Sequence, residues 1–111
     1  MAYSPAARRD RIKPHFPKLV EMTAEYVYGD VWERPQLSKR DRSMVTIAAL
    51  TALGWRDQLE GHIGRGLANG LTQEEVSEII THLALYAGWP SAMTAAHVAT
   101  GVFDAEDQAK G

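Results

Sequence analysis

Hydrophobic residues recur along most of the chain at the spacing of a helix. Leu59, Ile63 and Leu67 lie four residues apart, and no segment alternates apolar and polar residues as a half-buried strand does. The segment 73–87 repeats the helical pattern with five apolar residues on one face: Val76, Ile79, Ile80, Leu83 and Ala87. The pattern predicts an all-α protein of about five to six helices.

Local signals set the ends of these helices. Ser38 and Thr72 are followed three residues later by Asp41 and Glu75, which is typical of helix N-termini. Glycine or proline then marks the ends. The predicted helices are 18–28, 39–53, 56–68, 73–87 and 90–103. In a single domain spanning 1–111, residues 1–16 form an N-terminal arm interrupted by prolines, and residues 104–111 form a frayed tail.

Two of these helices lead to further expectations. The first, 18–28, offers four candidate core contacts: Leu19, Val20, Met22 and Tyr26. The second, 39–53, is apolar around nearly its whole circumference, which is typical of a helix that is buried on all sides. Because one small subunit cannot easily enclose such a helix, the pattern also favours self-association.

Composition narrows the range of functions. The 111 residues are 45% hydrophobic and contain no cysteine, which excludes disulfides, thiol nucleophiles and cysteine-ligated metal sites. Twelve basic and fourteen acidic side chains give a formal charge of −2, so there is no basic excess for nucleic-acid binding. No signal-peptide pattern or apolar run of membrane-spanning length is present. We expect a cytoplasmic protein with neither nucleic-acid nor membrane partners.

Histidine and arginine supply the remaining candidate chemistry. His62 shares a helix face with Gln58, close to Gly61, Gly64 and Gly66, whose presence in a helix indicates a close approach by backbone or ligand. His62 is therefore either a polar flank of a buried helix or a functional residue.

Three further residues have two interpretations each. His97 lies among alanines and is either a hydrogen-bonded core residue or functional. Arg42 lies in the first turn of an apolar helix, where a cation is mildly unfavourable, so it pairs with a carboxylate of the protein or of a ligand. Trp32, in the linker with Arg34, packs in the core or lines a site. The sequence has no HExxH motif or comparable ligand spacing, so we do not expect a metal site.

The order of short motifs in this chain resembles the carboxymuconolactone decarboxylase family. The matching segments are Gly29–Pro35, Arg42–Leu50, Leu59–His62, Asn69–Thr72 and Tyr86–Pro90, followed by His97, within about residues 24–105. The wider superfamily includes alkylhydroperoxidases with a CxxCxxxH pattern. Their cysteine positions correspond here to Trp55 and Gln58, so a thiol peroxidase mechanism is excluded.

The resemblance implies an alkylhydroperoxidase-like helical fold, assembled as a homotrimer or homohexamer. It also implies cofactor-free decarboxylation of 4-carboxymuconolactone to 3-oxoadipate enol-lactone in protocatechuate catabolism. Such a reaction requires a cationic anchor, a donor to the developing oxyanion and a general acid. The hypothesis assigns Arg42, or Arg34, as the anchor and His62 as donor or acid, with His97 as a second acid. Five residues would bind the substrate: Trp32, Arg34, Gln58, Tyr86 and Trp89.

Two alternatives remain open at this point. The chain is either a member that binds a small carboxylate or lactone without turnover, or an isomerase or hydrolase of a related unsaturated lactone.

Overall fold

Six α-helices and two short helical segments make up the part of the chain that the structure describes. The computed structural model describes residues 5–111, with side chains from residue 8 onward, and this part contains no strand. The helices are α1 (Pro5–Ile12), α2 (Pro17–Met22), α3 (Lys39–Leu53), α4 (Arg56–Ala68), α5 (Gln73–Ala87) and α6 (Trp89–Lys110). A π-helical segment, Thr23–Tyr28, continues α2, and a 3-10 turn, Val31–Glu33, precedes α3. The all-α prediction is confirmed.

The last four helices surround the core. α3 packs on α4 and α5, α6 packs on the same two helices, and α3 and α6 also touch each other across the middle. The residues with the least exposure come from facing turns of these helices, including Ile47, Ile63 and Val76. The three alanines of α6 that are buried, Ala92, Ala95 and Ala99, let this helix approach its neighbours closely.

The helix ends form as the sequence predicts. The Ser38 side chain accepts a hydrogen bond from the Asp41 backbone N–H, and Thr72 and Glu75 form a reciprocal capping box. Gly54 ends α3 with φ of +73°, a left-handed conformation that glycine adopts without strain. An ion pair from Arg40 to Glu75 links the first turns of α3 and α5.

Among the glycines of α4, Gly66 has close neighbours, but these are side chains and not the backbone or ligand that the sequence led us to expect. A Cβ atom at this position would lie 3.0 Å from the terminal carbons of both Ile47 and Leu71. Gly64, in contrast, has open space where its Cβ would be. Only one of these two glycines is therefore required by packing inside the subunit.

The structure corrects the expected burial at the N-terminal side. Of the four candidate core contacts in 18–28, only Val20 is buried, whereas Leu19, Met22 and Tyr26 are exposed. The reason is that α2 and its π-helical continuation contact α1 and the 3-10 turn rather than lying across the core. The arm also includes a short helix, α1, rather than only broken pieces.

The prediction that α3 is buried on all sides is wrong for the single chain. Val45 is 60% exposed and Leu53 56%, while Ile47 and Leu50 face the core. One side of α3 thus presents apolar side chains to solvent because no other helix of the subunit covers it.

The final helix is longer than predicted. Instead of ending near Phe103, α6 continues to Lys110, so residues 104–110 are helical rather than frayed. Gln73 at the start of α5 donates to both Glu106 and Asp107, at 2.8 and 2.9 Å, and these bonds hold the last turns of α6. Within the described residues, no helix is long and apolar enough to cross a membrane.

Candidate active site

The first turn of α3 presents Arg42 toward the linker that precedes it. Its Nη2 donates to the Arg34 backbone carbonyl at 3.2 Å, while Nε is buried and has no hydrogen-bond partner in the part of the chain that the structure describes. Pro35 keeps the linker extended at Arg34, where ψ is 135°. A backbone carbonyl therefore orients the Arg42 guanidinium, and the buried Nε–H donor is left without an acceptor among the described residues.

A small cavity lies beside Arg42. It has a volume of about 190 Å³ and is lined by Val31, Trp32, Leu37, Arg42, Val45 and Thr46. We call it the tryptophan cavity. The wall is mostly apolar and the single cation is Arg42, so the cavity suits a small molecule with one carboxylate directed at the guanidinium.

His62, on α4, lies against the tryptophan of this cavity. The two ring centroids are 5.9 Å apart and the ring planes differ by 23°, so the imidazole lies nearly parallel to the indole. Its Nδ1 is buried and lacks a hydrogen-bond partner among residues 8–111. Trp32 thus joins two side chains, Arg42 and His62, each of which has one buried nitrogen without a partner.

Burial, as the larger cause, and the nearby positive charge of Arg65 together lower the pKa of His62 from 6.5 to about 4. The imidazole is consequently neutral near pH 7. A neutral imidazole still has one N–H donor and one acceptor nitrogen, so it can donate a hydrogen bond without carrying a charge.

A cluster of aromatic and cationic side chains lies behind the tryptophan. The Arg65 guanidinium carbon is 4.1 Å from the Tyr28 ring centroid and 5.8 Å from that of Trp32. Arg9 of α1 lies on the same tyrosine at 5.4 Å. Sequence reasoning did not select Arg65 or Tyr28; the available signal was that Arg65 follows His62 by three residues and so shares its helix face.

A much larger recess runs between α4 and α6. This α4/α6 groove is open, has a volume of about 1060 Å³, and includes His97 together with Gly64 and Gly101 on its lining. Neither glycine has a neighbour where a Cβ would be. His97 is therefore exposed in a different recess from Trp32 and Arg42, rather than buried among its alanines.

The other predicted pocket residues lie on the surface. Tyr86 is 77% exposed and Trp89 65%, and Tyr86 contacts the ring of His82 at 4.9 Å. Gln58 and the Arg34 side chain are also exposed. Within one chain, the structure brings together Trp32, Arg42 and His62, but it does not bring the other predicted residues to the tryptophan cavity. No group of three His, Asp or Glu side chains suited to a metal ion occurs in the described residues.

Comparison with known proteins identifies relatives of this chain. Residues 17–101 match the sequence profile of the carboxymuconolactone decarboxylase family. The chain is 45% identical over 80 residues to the 4-carboxymuconolactone decarboxylase of Acinetobacter baylyi. It is 33% identical over 75 residues to the nitrosuccinic acid decarboxylase of Metarhizium robertsii, and 30% identical over 86 residues to an uncharacterized 15.0 kDa protein of Paracoccus denitrificans.

These matches cover more of this chain than of the relatives. They include 72%, 68% and 76% of this sequence, respectively, but 60%, 52% and 64% of the three relatives. The Gly29–Pro35 linker, Arg42 and His62 all lie inside the segment that matches the profile.

Proposed function

This chain belongs to the carboxymuconolactone decarboxylase family, and we propose that it is a carboxy-lyase that releases carbon dioxide from 4-carboxymuconolactone and forms 3-oxoadipate enol-lactone. The reaction would take place in the cytoplasm as a step of protocatechuate catabolism. Both relatives with a named activity are decarboxylases, one of a lactone acid and one of a nitro acid.

One observation carries the proposal. Arg42 Nε and His62 Nδ1 are both buried without a partner in the described residues, and both belong to side chains beside Trp32. Buried polar atoms are usually hydrogen-bonded, so two exceptions on side chains beside the same tryptophan suggest a ligand that supplies the acceptors. The third such atom in the described residues is Oγ1 of Thr51, in the last turn of α3. A lactone acid offers such acceptors in its carboxylate and its carbonyl oxygen.

The proposed reaction needs no external electron sink. The bond between the ring carbon and the departing carboxylate breaks, and its electron pair moves through the adjacent carbon–carbon double bond onto the lactone carbonyl oxygen. Carbon dioxide leaves, and the resulting dienolate takes up a proton on carbon. The protein's task is to hold the acid, stabilise the negative oxygen and supply the proton.

The roles follow from the charges of the side chains. Arg42 is the carboxylate anchor, and the Arg34 carbonyl orients its guanidinium. His62 is neutral at pH 7, which favours hydrogen-bond donation to the developing oxyanion over delivery of a proton from the imidazolium. Trp32 excludes water beside both groups. His97 remains the second candidate acid, but it lines the α4/α6 groove and not the tryptophan cavity of its own chain, so it would act only where an assembled oligomer brings the two recesses together.

Self-association is the second part of the proposal. Three residues that line the tryptophan cavity, Val31, Leu37 and Val45, are exposed in the single chain. A second exposed apolar group occurs where α5 meets α6, at Leu85, Tyr86 and Trp89. Contiguous exposed apolar surface is typical of protein interfaces. A homotrimer or homohexamer would cover these two groups of apolar residues. Sedimentation at several protein concentrations tests the proposed self-association. A stable monomer of 12.3 kDa would contradict it.

The test of the activity is carbon dioxide release from 4-carboxymuconolactone by the purified protein, with nitrosuccinic acid as a second substrate. Carbon dioxide from the lactone, together with the enol-lactone as product, supports the proposal. A thermal shift with the lactone and no turnover would instead indicate a binding protein. A changed lactone with its carboxylate retained would indicate an isomerase or hydrolase.

A further inference from the structure

Arg65 is a half-buried cation without a carboxylate partner. No ion pair or side-chain hydrogen bond from Arg65 is found within residues 8–111, and its guanidinium instead lies over two aromatic rings, Tyr28 and Trp32. A cation over an aromatic face is attracted by the negative face of the ring. The side chain is therefore held by rings, which points to a role beyond neutralising an acid of the same chain.

The rings connect Arg65 to the imidazole. Tyr28 and Trp32 contact each other with centroids 5.7 Å apart, and Trp32 also stacks on His62. Arg65 and His62 are also three residues apart on α4, which places them on one face of that helix. We propose that Arg65 is a positioning residue: its guanidinium, seated on Tyr28 and Trp32, holds the indole against His62 and adds a fixed positive charge beside the imidazole.

This arrangement explains how one helix can keep a histidine neutral. Burial is the first cause of the low pKa of His62, and the Arg65 charge is the second. No carboxylate of the described residues forms an ion pair with Arg65, and Glu33 of the 3-10 turn is paired with Lys39. Arg65 also lines the α4/α6 groove, whose acidic residues are Asp57 and Glu60 of α4 and Glu106 of α6, together with His97. The other titratable groups near the two rings are Arg42 of α3, Arg9 of α1 and Tyr28 of the π-helical segment.

The inference rests on the proposed function only for its effect on catalysis. The positioning itself is measured without substrate, by NMR titration of the His62 ring, assigned by comparison with His62→Gln. Arg65→Gln removes both the charge and the guanidinium, whereas Arg65→Lys keeps the charge and removes only the guanidinium. Arg56→Gln is the matched control, because it removes an exposed cation from the first turn of the same helix.

The expected result is a rise of about half a unit in the His62 pKa in Arg65→Gln, with weaker contacts between the Trp32 and His62 ring protons. Arg65→Lys should keep the pKa near its native value while weakening those contacts, and Arg56→Gln should change neither. An unchanged pKa in Arg65→Gln overturns the proposal. So does a pKa in Arg65→Lys that rises as far as in Arg65→Gln, because the charge would then have no role.

A kinetic measurement separates this inference from the proposed activity. If the protein is a decarboxylase, Arg65→Gln should lower kcat about fivefold or more with KM little changed, and the acid limb of its pH profile should move upward together with the His62 pKa. If no substrate is turned over, the proposed function fails but the titration still decides the role of Arg65. A kcat that matches Arg56→Gln, despite a shifted pKa, would overturn the catalytic consequence.

Discussion

The tryptophan cavity and the α4/α6 groove differ in size and in chemistry. The α4/α6 groove is more than five times the volume of the tryptophan cavity, about 1060 against 190 Å³. Its open space comes from Gly64 and Gly101, which have no neighbouring atoms where a Cβ would be. The tryptophan cavity is small, yet the buried unpartnered nitrogens of Arg42 and His62 are both beside its tryptophan.

Size alone is therefore a poor guide to the site in a single subunit. An open groove between two helices arises wherever small residues face solvent, and such a groove takes little free energy from the folded state. A buried nitrogen without a partner does cost the fold free energy, about 1–3 kcal/mol or more for a charged group. We infer that the smaller recess holds the chemistry because the fold retains such atoms there.

The largest expected difference is between the two histidines. His62→Ala should reduce kcat/KM for the lactone at least about 100-fold, because it removes the donor to the oxyanion. His97→Ala, in the α4/α6 groove, should reduce it less than about 10-fold, as expected for a dispensable second acid. Stopped assays of carbon dioxide release compare the two. A larger loss of kcat/KM in His97→Ala than in His62→Ala would place the active site in the α4/α6 groove.

The next comparison is between two arginines, Arg34 in the linker and Arg42 in the first turn of α3. Arg42→Gln should lower kcat/KM about 10- to 100-fold, because a charge-assisted bond to a carboxylate contributes about 1.5–3 kcal/mol. Arg34→Gln should have a small effect, since Arg34 orients Arg42 through its backbone carbonyl and its side chain is exposed. Equal losses in the two variants would show that Arg34 also anchors the substrate through its guanidinium.

The pH dependence tests the protonation state of His62. With a pKa of about 4, the neutral form predominates from pH 5 upward, so kcat should be nearly constant between pH 5 and 7 and fall about tenfold per unit below pH 4. If the imidazolium were the catalytic acid, kcat would instead increase steadily as the pH falls from 7 to 4. A stopped assay in buffers of constant ionic strength distinguishes the two.

Stability should depend on pH through the same residue. Unfolded His62 binds a proton near pH 6.5, whereas folded His62 binds one only near pH 4. Between these values the unfolded state holds more protons, so the free energy of unfolding should fall as the pH drops from 6.5 to 4. Urea unfolding at pH 7 and pH 4.5 measures the fall. His62→Gln should show a smaller one, and an equal fall in that variant would exclude His62 as its source.

The smallest predicted effect compares two glycines of α4. Gly64→Ala should stabilise the protein by up to about 1 kcal/mol, because alanine favours the helix and its Cβ enters open space. Gly66→Ala should destabilise it by about 1–3 kcal/mol, because the Cβ would press on Ile47 and Leu71 in the filled core. Denaturant unfolding gives both values. A loss of stability in Gly64→Ala would mean that another chain occupies the groove in solution.

The fold was largely predictable from local chemistry. Caps such as Ser38 and Thr72 act within one turn, so the starts of α3 and α5 could be predicted to the residue. The extension of α6 could not, since it depends on hydrogen bonds from Gln73 to Glu106 and Asp107, more than thirty residues away. The exposure of Val45 could not be predicted either, because an apolar pattern does not show whether the residues that bury it belong to the same chain or to another.

The candidate site was predictable only in part, for a similar reason. Arg42, His62 and Trp32 could be selected from their segments and from the family resemblance, and the fold brings them together. Arg65 could not be recognised, since its importance comes from contacts with two rings contributed by the distant segment before α3. Tyr86 and Trp89 lie on the surface, where only an assembled oligomer would bring them to a site.

The most direct test of the account is to map where the product binds. NMR spectra of the labelled protein, titrated with 3-oxoadipate enol-lactone, report which residues change their environment. We predict that the indole N–H of Trp32 and the ring signals of His62 shift in proportion to occupancy, while the signals of His97 and Gly101 do not. Shifts confined to His97, Gly64 and Gly101 would contradict it and place the ligand in the α4/α6 groove.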